Sequence, residues 1–305
     1  MKKILITGSN GLLGQSLLDL FLQDEEYEII AVSRGENRYP ETKGYEYFSI
    51  DVTNKGELRD LILNNQPDCI INTAAMTQVD ACEDDKEGCD ALNVVLVENL
   101  VAISEKIKAK LIHISTDFIF DGKKGHYKET DAPNPLSYYG LSKLKSEEVI
   151  KQSSIDYTIL RTILVYGKVH DMSRNNIVLW VCKMLTEKKE ITIVDDQFRM
   201  PTYVRDLALA CKLSIEKEVC GVFNVSSNTL LSIYEIARHI AEVFELDTSF
   251  IKPISTGTLN QKAPRPAKTG FNLEKTEKVL GVKFKSFKED LQLFKKELVK
   301  NSSLT

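Results

Sequence analysis

Three glycines at intervals of three, Gly8, Gly11 and Gly14, separate an apolar run, Lys3 to Thr7, from the helical pattern LLGQSLLDLFLQ. A buried strand that turns into a helix across such a segment belongs to layered α/β folds. The missing side chains permit both a tight turn and a close helix–strand contact. The same backbone has a chemical use. With the glycines lacking side chains and only Ser9, Asn10, Leu12 and Leu13 between them, a pyrophosphate can approach the backbone closely. The start of the helix offers it unpaired N–H groups and the positive end of the dipole.

The unit then repeats. EIIAVSR (28–34), EYFSIDVTN (46–54), the apolar part of PDCIINTAAMTQVDACE (67–83), LIHIST (111–116) and IDYTILRTILVYG (155–167) read as strands, separated by helical patterns such as KGELRDLILNNQ. Alternating βα units predict a parallel doubly wound sheet, Rossmann-like, over residues 1–167, with a nucleotide across the C-terminal strand ends. After Gly167 the regularity changes. A polar stretch, 168–176, precedes a helix, NNIVLWVCKMLTEKK, with Trp180 expected in its core-facing stripe. DLALACKLSIE reads as a helix packing back on the first domain, GVFNVSS as a short strand, and LSIYEIARHIAEVF as an amphipathic helix capped by Ser232. The last helix, FKEDLQLFKKELVK, carries charges of alternating sign and is expected as a solvated outer face. The expected plan is a first domain, 1–167 with 203–227 returning to it, and a smaller C-terminal α/β substrate-binding domain from 168–202 and 228–305.

At the end of the second strand, where an NAD site carries an acidic residue for the ribose hydroxyls, stand Ser33 and Arg34, with Arg38 close by. A guanidinium there suits a 2′-phosphate, so the expected cofactor is NADP(H) rather than NAD(H), although Glu36 lies in the same loop. Ala74 and Ala75, after the fourth strand, are small, as backbone passing close to a cofactor requires.

Residues 111–143, LIHISTDFIFDGKKGHYKETDAPNPLSYYGLSK, hold the chemistry. The strand ends in two hydroxyls, Ser115 and Thr116. Pro133 and Pro135 forbid a helix until about Ser137, which, with Tyr138, is a candidate N-cap. Tyr139 and Lys143 then share a helix face four residues apart. An ammonium beside a phenol is expected to favour the phenolate and make it a usable acid or base near neutrality. Tyr-x-x-x-Lys alone is more often a solvated helix face; the strand-end hydroxyls and the glycine turn give it weight.

Together these features resemble the extended short-chain dehydrogenase/reductase superfamily, whose glycine spacing the turn shares. HISTDFIFDG, the PxPLxxYGxSK stretch, Val165-Tyr-Gly167, Asp196-Gln197, Pro201-Thr202 and Arg265-Pro266 are similar to the reductases of dTDP-4-dehydrorhamnose type, over nearly the whole chain. The resemblance implies an NADP(H)-dependent reductase of the 4-keto group of a nucleotide-linked deoxysugar. Tyr139 would protonate the carbonyl oxygen, Lys143 would hold the nicotinamide ribose and lower the tyrosine pKa, and Thr116, rather than Ser115, would hydrogen-bond that oxygen. It further implies cofactor contacts from Gly8 to Leu12, Gly14, Ser33, Arg34, Asp51, Val52, Ala74 and Ala75, and substrate contacts from Thr77, Val79, Asp80, Asn176 and Arg265. Asn93 matches the superfamily's buried asparagine, but a satisfied polar residue in a helix explains it as well. Met76 departs from the family, which usually carries an aromatic there.

Two other readings stay open. Arg199-Met-Pro-Thr-Tyr-Val-Arg-Asp resembles the non-catalytic, NADP-binding β subunit of methionine adenosyltransferase, where the reductases more often have a glycine before Pro-Thr. A sugar-nucleotide epimerase uses the same triad with tightly held NAD, which Arg34 disfavours.

The totals narrow the class. A net charge of −4 argues against a nucleic-acid surface, and the glycines of MKKILITGSNG interrupt any signal-peptide core. No apolar run is long enough to span a bilayer. Six scattered cysteines without CxxC spacing read as free thiols of a reducing cytoplasm, and four histidines set apart from them give no metal set. A divalent ion is left undetermined, and a homodimer is the candidate assembly.

Overall fold

The computed structural model describes residues 1–170, 176–259 and 261–302. Most of the polar run 168–176, namely 171–175, and the end of the expected second domain, 303–305, lie outside the described residues.

Seven parallel strands form the main sheet among the described residues: β1 (Lys2–Thr7), β2 (Tyr27–Ser33), β3 (Tyr45–Ser49), β4 (Cys69–Asn72), β5 (Lys110–Thr116), β6 (Tyr157–Thr162) and β7 (Gly221–Val225). Their order is β7-β6-β5-β4-β1-β2-β3. The direction of winding reverses at β1, which pairs with β2 on one side and β4 on the other. A crevice therefore opens beyond the C-terminal ends of β1 and β4. The strands are apolar on both faces because helices cover both. In β1, Ile4 and Ile6 join one core and Leu5 the other; in β2, Ile29 and Ala31 oppose Ile30 and Val32.

The helix Leu12–Phe21 covers the first face together with Val204–Glu216, through Leu13, Leu17 and Phe21 against Leu207, Ala208 and Cys211. Helices Lys55–Asn65 and Leu96–Ile107 cover the second. The segment read as a short strand, GVFNVSS, pairs with β6 from Gly221↔Thr158 to Val225↔Thr162 and is the outermost strand of the main sheet.

A third core lies outside the sheet, between helices Ile177–Thr186, Ile233–Phe244 and Phe287–Ser302 and the paired strands Ile191–Val194 and Ile251–Ile254. Ser232 caps the second of these helices in a capping box with Glu235. Trp180 is half-buried at the margin of this core rather than inside it. The last helix also departs from expectation. Phe287, Leu291 and Phe294 are fully buried, so its charges occupy only the opposite side, and a one-sided apolar stripe at helical spacing was hidden among them. No helix among the described residues is long and apolar enough to cross a membrane.

That last helix also buries Asp290, whose two carboxylate oxygens have no hydrogen-bond partner among the described residues. Burial, reinforced by the charge of Asp206 and opposed by Lys285, pushes its pKa up to about 7. A carboxyl raised in the folded state contributes stability below its unfolded pKa and loses it as pH climbs through the folded value. Asp290→Asn should therefore be more stable than the parent at pH 8, by about 2 kcal/mol, with the advantage shrinking to nothing near pH 4. Denaturant unfolding of both proteins from pH 4 to 8 measures the difference; parallel curves would show that the carboxyl does not titrate as its burial requires.

Candidate active site

The glycine turn sits at the crevice. Gly8 has φ +70°, and a Cβ there would fall 2.7 Å from Thr73 Oγ1 and 2.9 Å from Ala74 N, so the turn is pressed against the exit of β4. A Cβ on Gly14 would lie 2.4 Å from Gly8 O, which seats the helix directly on the turn. Gly11 is the N-cap of the helix and supplies no side-chain cap, so the first-turn N–H groups remain available. Ser9 is buried with its Oγ unpartnered among the described residues. An uncapped helix start and an orphaned buried hydroxyl fit the phosphates of a dinucleotide.

A cavity of about 640 Å³ runs from this turn across the strand ends. Asn10, Gly11, Leu12, Ala74 and Ala75 line it, whereas Gly8, Ser9 and Gly14 form the turn behind that wall. Ser33, Arg34, Asp51 and Val52 are not on the wall either. Arg34 has a side chain 83% exposed and pairs with Asp51 at 3.6 Å. Thr53, ahead of that pairing, holds the Asp51 carboxyl below its ordinary range. The arginine of this loop that lines the cavity is Arg38. Asn10 explains the exchange. Its Oδ1 accepts from Arg38 N (2.9 Å) and its Nδ2 donates to Glu36 O (2.8 Å), folding the loop after β2 back over the glycine turn.

Thr116, Tyr139 and Lys143 line the same cavity. β5 delivers Thr116, and the helix Tyr138–Gln152, capped by Ser137 accepting from Gly140 N (3.2 Å), delivers the other two. The helix start docks so tightly on the strand exit that a Cβ on Gly140 would lie 2.2 Å from Phe118 O. Ser115 and Thr116 part company here. Ser115 donates to Glu147 Oε1 (2.6 Å), inside a buried network in which Arg161 grips the same carboxylate. Thr116 keeps its hydroxyl by the cavity, bonded to Asp117 Oδ1 at 3.1 Å.

The expected electrostatic effect on Tyr139 runs the other way. Burial pushes the phenol above its ordinary range, the Thr116 hydroxyl alongside offsets part of this, and the charge of Asp117 adds to it. Burial outweighs any help from the lysine, whose Nζ lies 2.9 Å from His113 Nε2. Burial pulls the lysine itself down to about 8, against the attraction of Glu147.

Asn93 lies in a π-helical turn, Ala91–Val95, that turns its side chain inward. It accepts from Met76 N (2.9 Å) and donates to Met76 O (3.1 Å) and Ser142 Oγ (2.9 Å), tying the exit of β4 to the helix that bears Tyr139 and Lys143.

At the other end of the cavity, Thr77, Val79, Asn176 and Arg265 are on the wall and Asp80 stands behind it. Asp80 takes the fork of Arg265 at 3.1 and 2.8 Å and the N–H of Ala263 at 2.9 Å, and this grip lowers its pKa. Asn176 caps helix Ile177–Thr186 by accepting from Val178 N and Leu179 N, and donates to Gly167 O at 2.8 Å. Two charged wall residues that the sequence reading did not single out as site residues, Arg199 and Asp117, face each other there. Arg199 is buried and donates to Phe198 O and Pro266 O, with Nε 3.7 Å from Asp117 Oδ2. Asp117, also bonded to Thr269, is pushed up by burial more than Arg199 pulls it down. The charged pair in Arg199-Met-Pro-Thr and Ser-Thr-Asp is visible in sequence, but not its contact. No group of three or more histidines, cysteines or acids among the described residues could hold a metal ion.

Comparison with known proteins places the chain in a family. The family model described as RmlD substrate binding domain matches residues 1–300. The spore coat polysaccharide biosynthesis protein SpsK of Bacillus subtilis is 32% identical over 298 residues, 97% of this chain and 98% of that protein. Methionine adenosyltransferase 2 subunit beta of Bos taurus is 30% identical over 272 residues, 87% of this chain and 79% of that one. The crystal structure of dTDP-4-dehydrorhamnose reductase from Bacillus anthracis in complex with NADP superposes with a TM-score of 0.84 at 30% identity, covering 97% of this chain and all of that one. The seven-stranded Rossmann-like sheet, the uncapped glycine turn and this match along nearly its whole length show that the chain belongs to the RmlD family of dTDP-4-dehydrorhamnose reductases.

Proposed function

We propose that this protein, an NAD(P)H-dependent oxidoreductase, reduces the 4-keto group of a nucleotide-linked deoxysugar, specifically dTDP-4-dehydrorhamnose to dTDP-rhamnose. The observation that carries the reading is the meeting of Thr116, Tyr139 and Lys143 on the wall of the cavity that the uncapped turn at Gly11 opens onto. A nicotinamide cofactor bound along that wall supplies hydride to the carbonyl carbon. The protein's part is the proton and the charge. Tyr139, its pKa raised by burial, is a neutral phenol at pH 7 and so a ready donor to the developing alkoxide. Thr116 hydrogen-bonds the same oxygen, and Lys143, cationic below about pH 8, stabilises the phenolate left behind.

Residues 1–167 with 203–227 hold the dinucleotide in this reading, with 168–202 and 228–305 around the sugar nucleotide. NADP(H) is favoured, as in the Bacillus anthracis relative, with Arg38 on the cavity wall as the group for the 2′-phosphate in place of Arg34. The fork of Arg265 serves the substrate diphosphate. One observation favours a second reading, a regulatory NADP-binding subunit: Arg199, on the cavity wall, opens Arg199-Met-Pro-Thr, a segment in which the reductases more often carry glycine before Pro-Thr, and methionine adenosyltransferase β subunits are about as similar as the reductases.

Steady oxidation of NADPH on addition of dTDP-4-dehydrorhamnose distinguishes the two; no oxidation, with co-purification of a synthetase, favours the subunit. Tyr139→Phe should cut turnover by roughly 10²–10⁴-fold while NADPH affinity stays within about twofold. A fully active variant would end the assignment. Arg38→Ala should weaken NADPH by about tenfold and NADH little, whereas Arg34→Ala should spare both. The opposite pattern returns the phosphate to Arg34. Turnover should also fall as pH rises above about 8, where Lys143 loses its proton.

A further inference from the structure

The chain of hydrogen bonds behind Lys143 plays no part in the chemistry above. Lys143 Nζ lies 2.9 Å from His113 Nε2, and neither residue is more than 2% exposed. Among the described residues Lys143 makes no ion pair. Glu147, one turn further on, attracts the ammonium from a distance, as does Cys89. The oxygens of Glu147, however, are occupied by Ser115, Arg161 and Lys151 at 2.6–2.9 Å. The protein's acceptor for this buried ammonium is the imidazole.

That role constrains the imidazole. Burial, then the lysine's charge, hold His113 neutral, so one ring nitrogen is bare and the other carries the proton. For Nε2 to accept from Lys143, the proton must sit on Nδ1. The side chain of Asn72 is placed with its Nδ2 3.2 Å from Nδ1 and its Oδ1 accepting from Thr7 Oγ1 at 2.6 Å, an orientation that would suit a bare Nδ1. The two ends of an amide have the same shape, and the Nδ1-protonated ring requires Asn72 turned over, its oxygen to Nδ1–H and its NH₂ to the threonine. Ser146 Oγ, 3.1 Å from Nε2, donates to Lys143 O at 2.7 Å, so it can accept from an Nε2–H but gives a bare Nε2 no proton, and the lysine is then that nitrogen's donor.

We propose that His113 is a positioning residue for Lys143: its Nδ1-protonated tautomer, set by Asn72 and Thr7, supplies the acceptor that holds Nζ at the cavity wall. Thr7 is the residue before Gly8, so the same chain fixes the lysine and the glycine turn in one frame. A catalytic task for Lys143 rests on the function proposed above, but the hydrogen bond and the tautomer do not, and both tests dispense with substrate.

In full-length protein labelled with ¹⁵N-histidine, the His113 ring should be neutral at pH 7 with Nδ1 protonated and Nε2 bare. An Nε2-protonated ring, or an imidazolium, overturns the proposal. With [ε-¹³C]lysine, the titration of Lys143 reports its proton affinity directly. His113→Leu removes the acceptor and should weaken proton binding about tenfold or more, since a buried ammonium is left unpaired. His113→Gln, whose amide oxygen reaches the place of Nε2, should restore it to within about twofold of the parent. An unchanged titration in His113→Leu overturns the proposal, and so does a His113→Gln protein no better than the leucine variant. Should the leucine variant fail to fold, the tautomer in the unaltered protein decides alone. Loss of reductase activity with both results intact would count against the function and leave the positioning role standing.

Discussion

Glu147 and Arg161 meet between the main sheet and the helix Tyr138–Gln152 through two hydrogen bonds, 2.9 and 2.7 Å, with no exposed surface on the carboxylate. Burial alone would push that carboxyl up; Arg161 and Lys151 hold it down at about 2, so the pair is ionised throughout the physiological range. Ser115, on the strand that also bears Thr116, donates to the same carboxylate. One group thus ties the helix to β5 and to β6. A pair so deeply buried adds little net stability, yet removing one partner costs about 3–5 kcal/mol because the other charge is stranded. That asymmetry makes it a registration device. The helix cannot slide along the sheet without breaking it, and so Tyr139 and Lys143 keep their places relative to Thr116.

The same burial that fixes the site sets its protonation states. An exposed phenol–ammonium pair at this spacing would favour the phenolate, but inside the cavity wall both charged forms are disfavoured, the phenol rising and the lysine falling to about 8. For a reductase this is the useful arrangement. The proposed step needs a proton given to an alkoxide, and a neutral phenol would hold that proton until the charge develops. Lysine would then meet a phenolate forming beside it in a dry site, where the attraction is strongest.

Periodicity made the first six strands legible, because each is an apolar run of four to seven residues bounded by turn residues, and the glycine turn placed the crevice. β7 was visible as a strand but not as a member of the main sheet, since its partner, β6, lies 63 residues earlier at Gly221↔Thr158 and nothing local names it. In the last helix the lysines and glutamates masked Phe287, Leu291 and Phe294. At the site, side chains within one motif were readable: Thr116, Tyr139 and Lys143 come from two adjacent elements. Contacts between distant elements were not. Arg34 looked like the phosphate residue by distance from the strand end, yet a side chain 24 residues earlier, Asn10, decides that Arg38 takes the wall. His113 sits inside the HISTD motif, but only the fold brings Lys143 to it.

The two arginines at the sugar end differ in what they can give up. Arg265 is paired with an Asp80 whose side chain is 45% exposed, and such a pair is worth at most about 1 kcal/mol in water. A diphosphate, with more charge and more acceptor oxygens than one carboxylate, can take the fork from Asp80 at little cost. Arg199 has no such freedom. Its side chain is 5% exposed, its guanidinium is bonded to three backbone carbonyls, and its charge offsets that of an equally buried Asp117. Moving it would strand that carboxylate and open the carbonyls of Phe198 and Pro266. In the proposed reaction, exchangeable binding of an anion would therefore fall to Arg265, while Arg199 would act as fixed wall, and the shape it imposes beside Asp117 would limit which sugar could bring its carbonyl within reach of Tyr139.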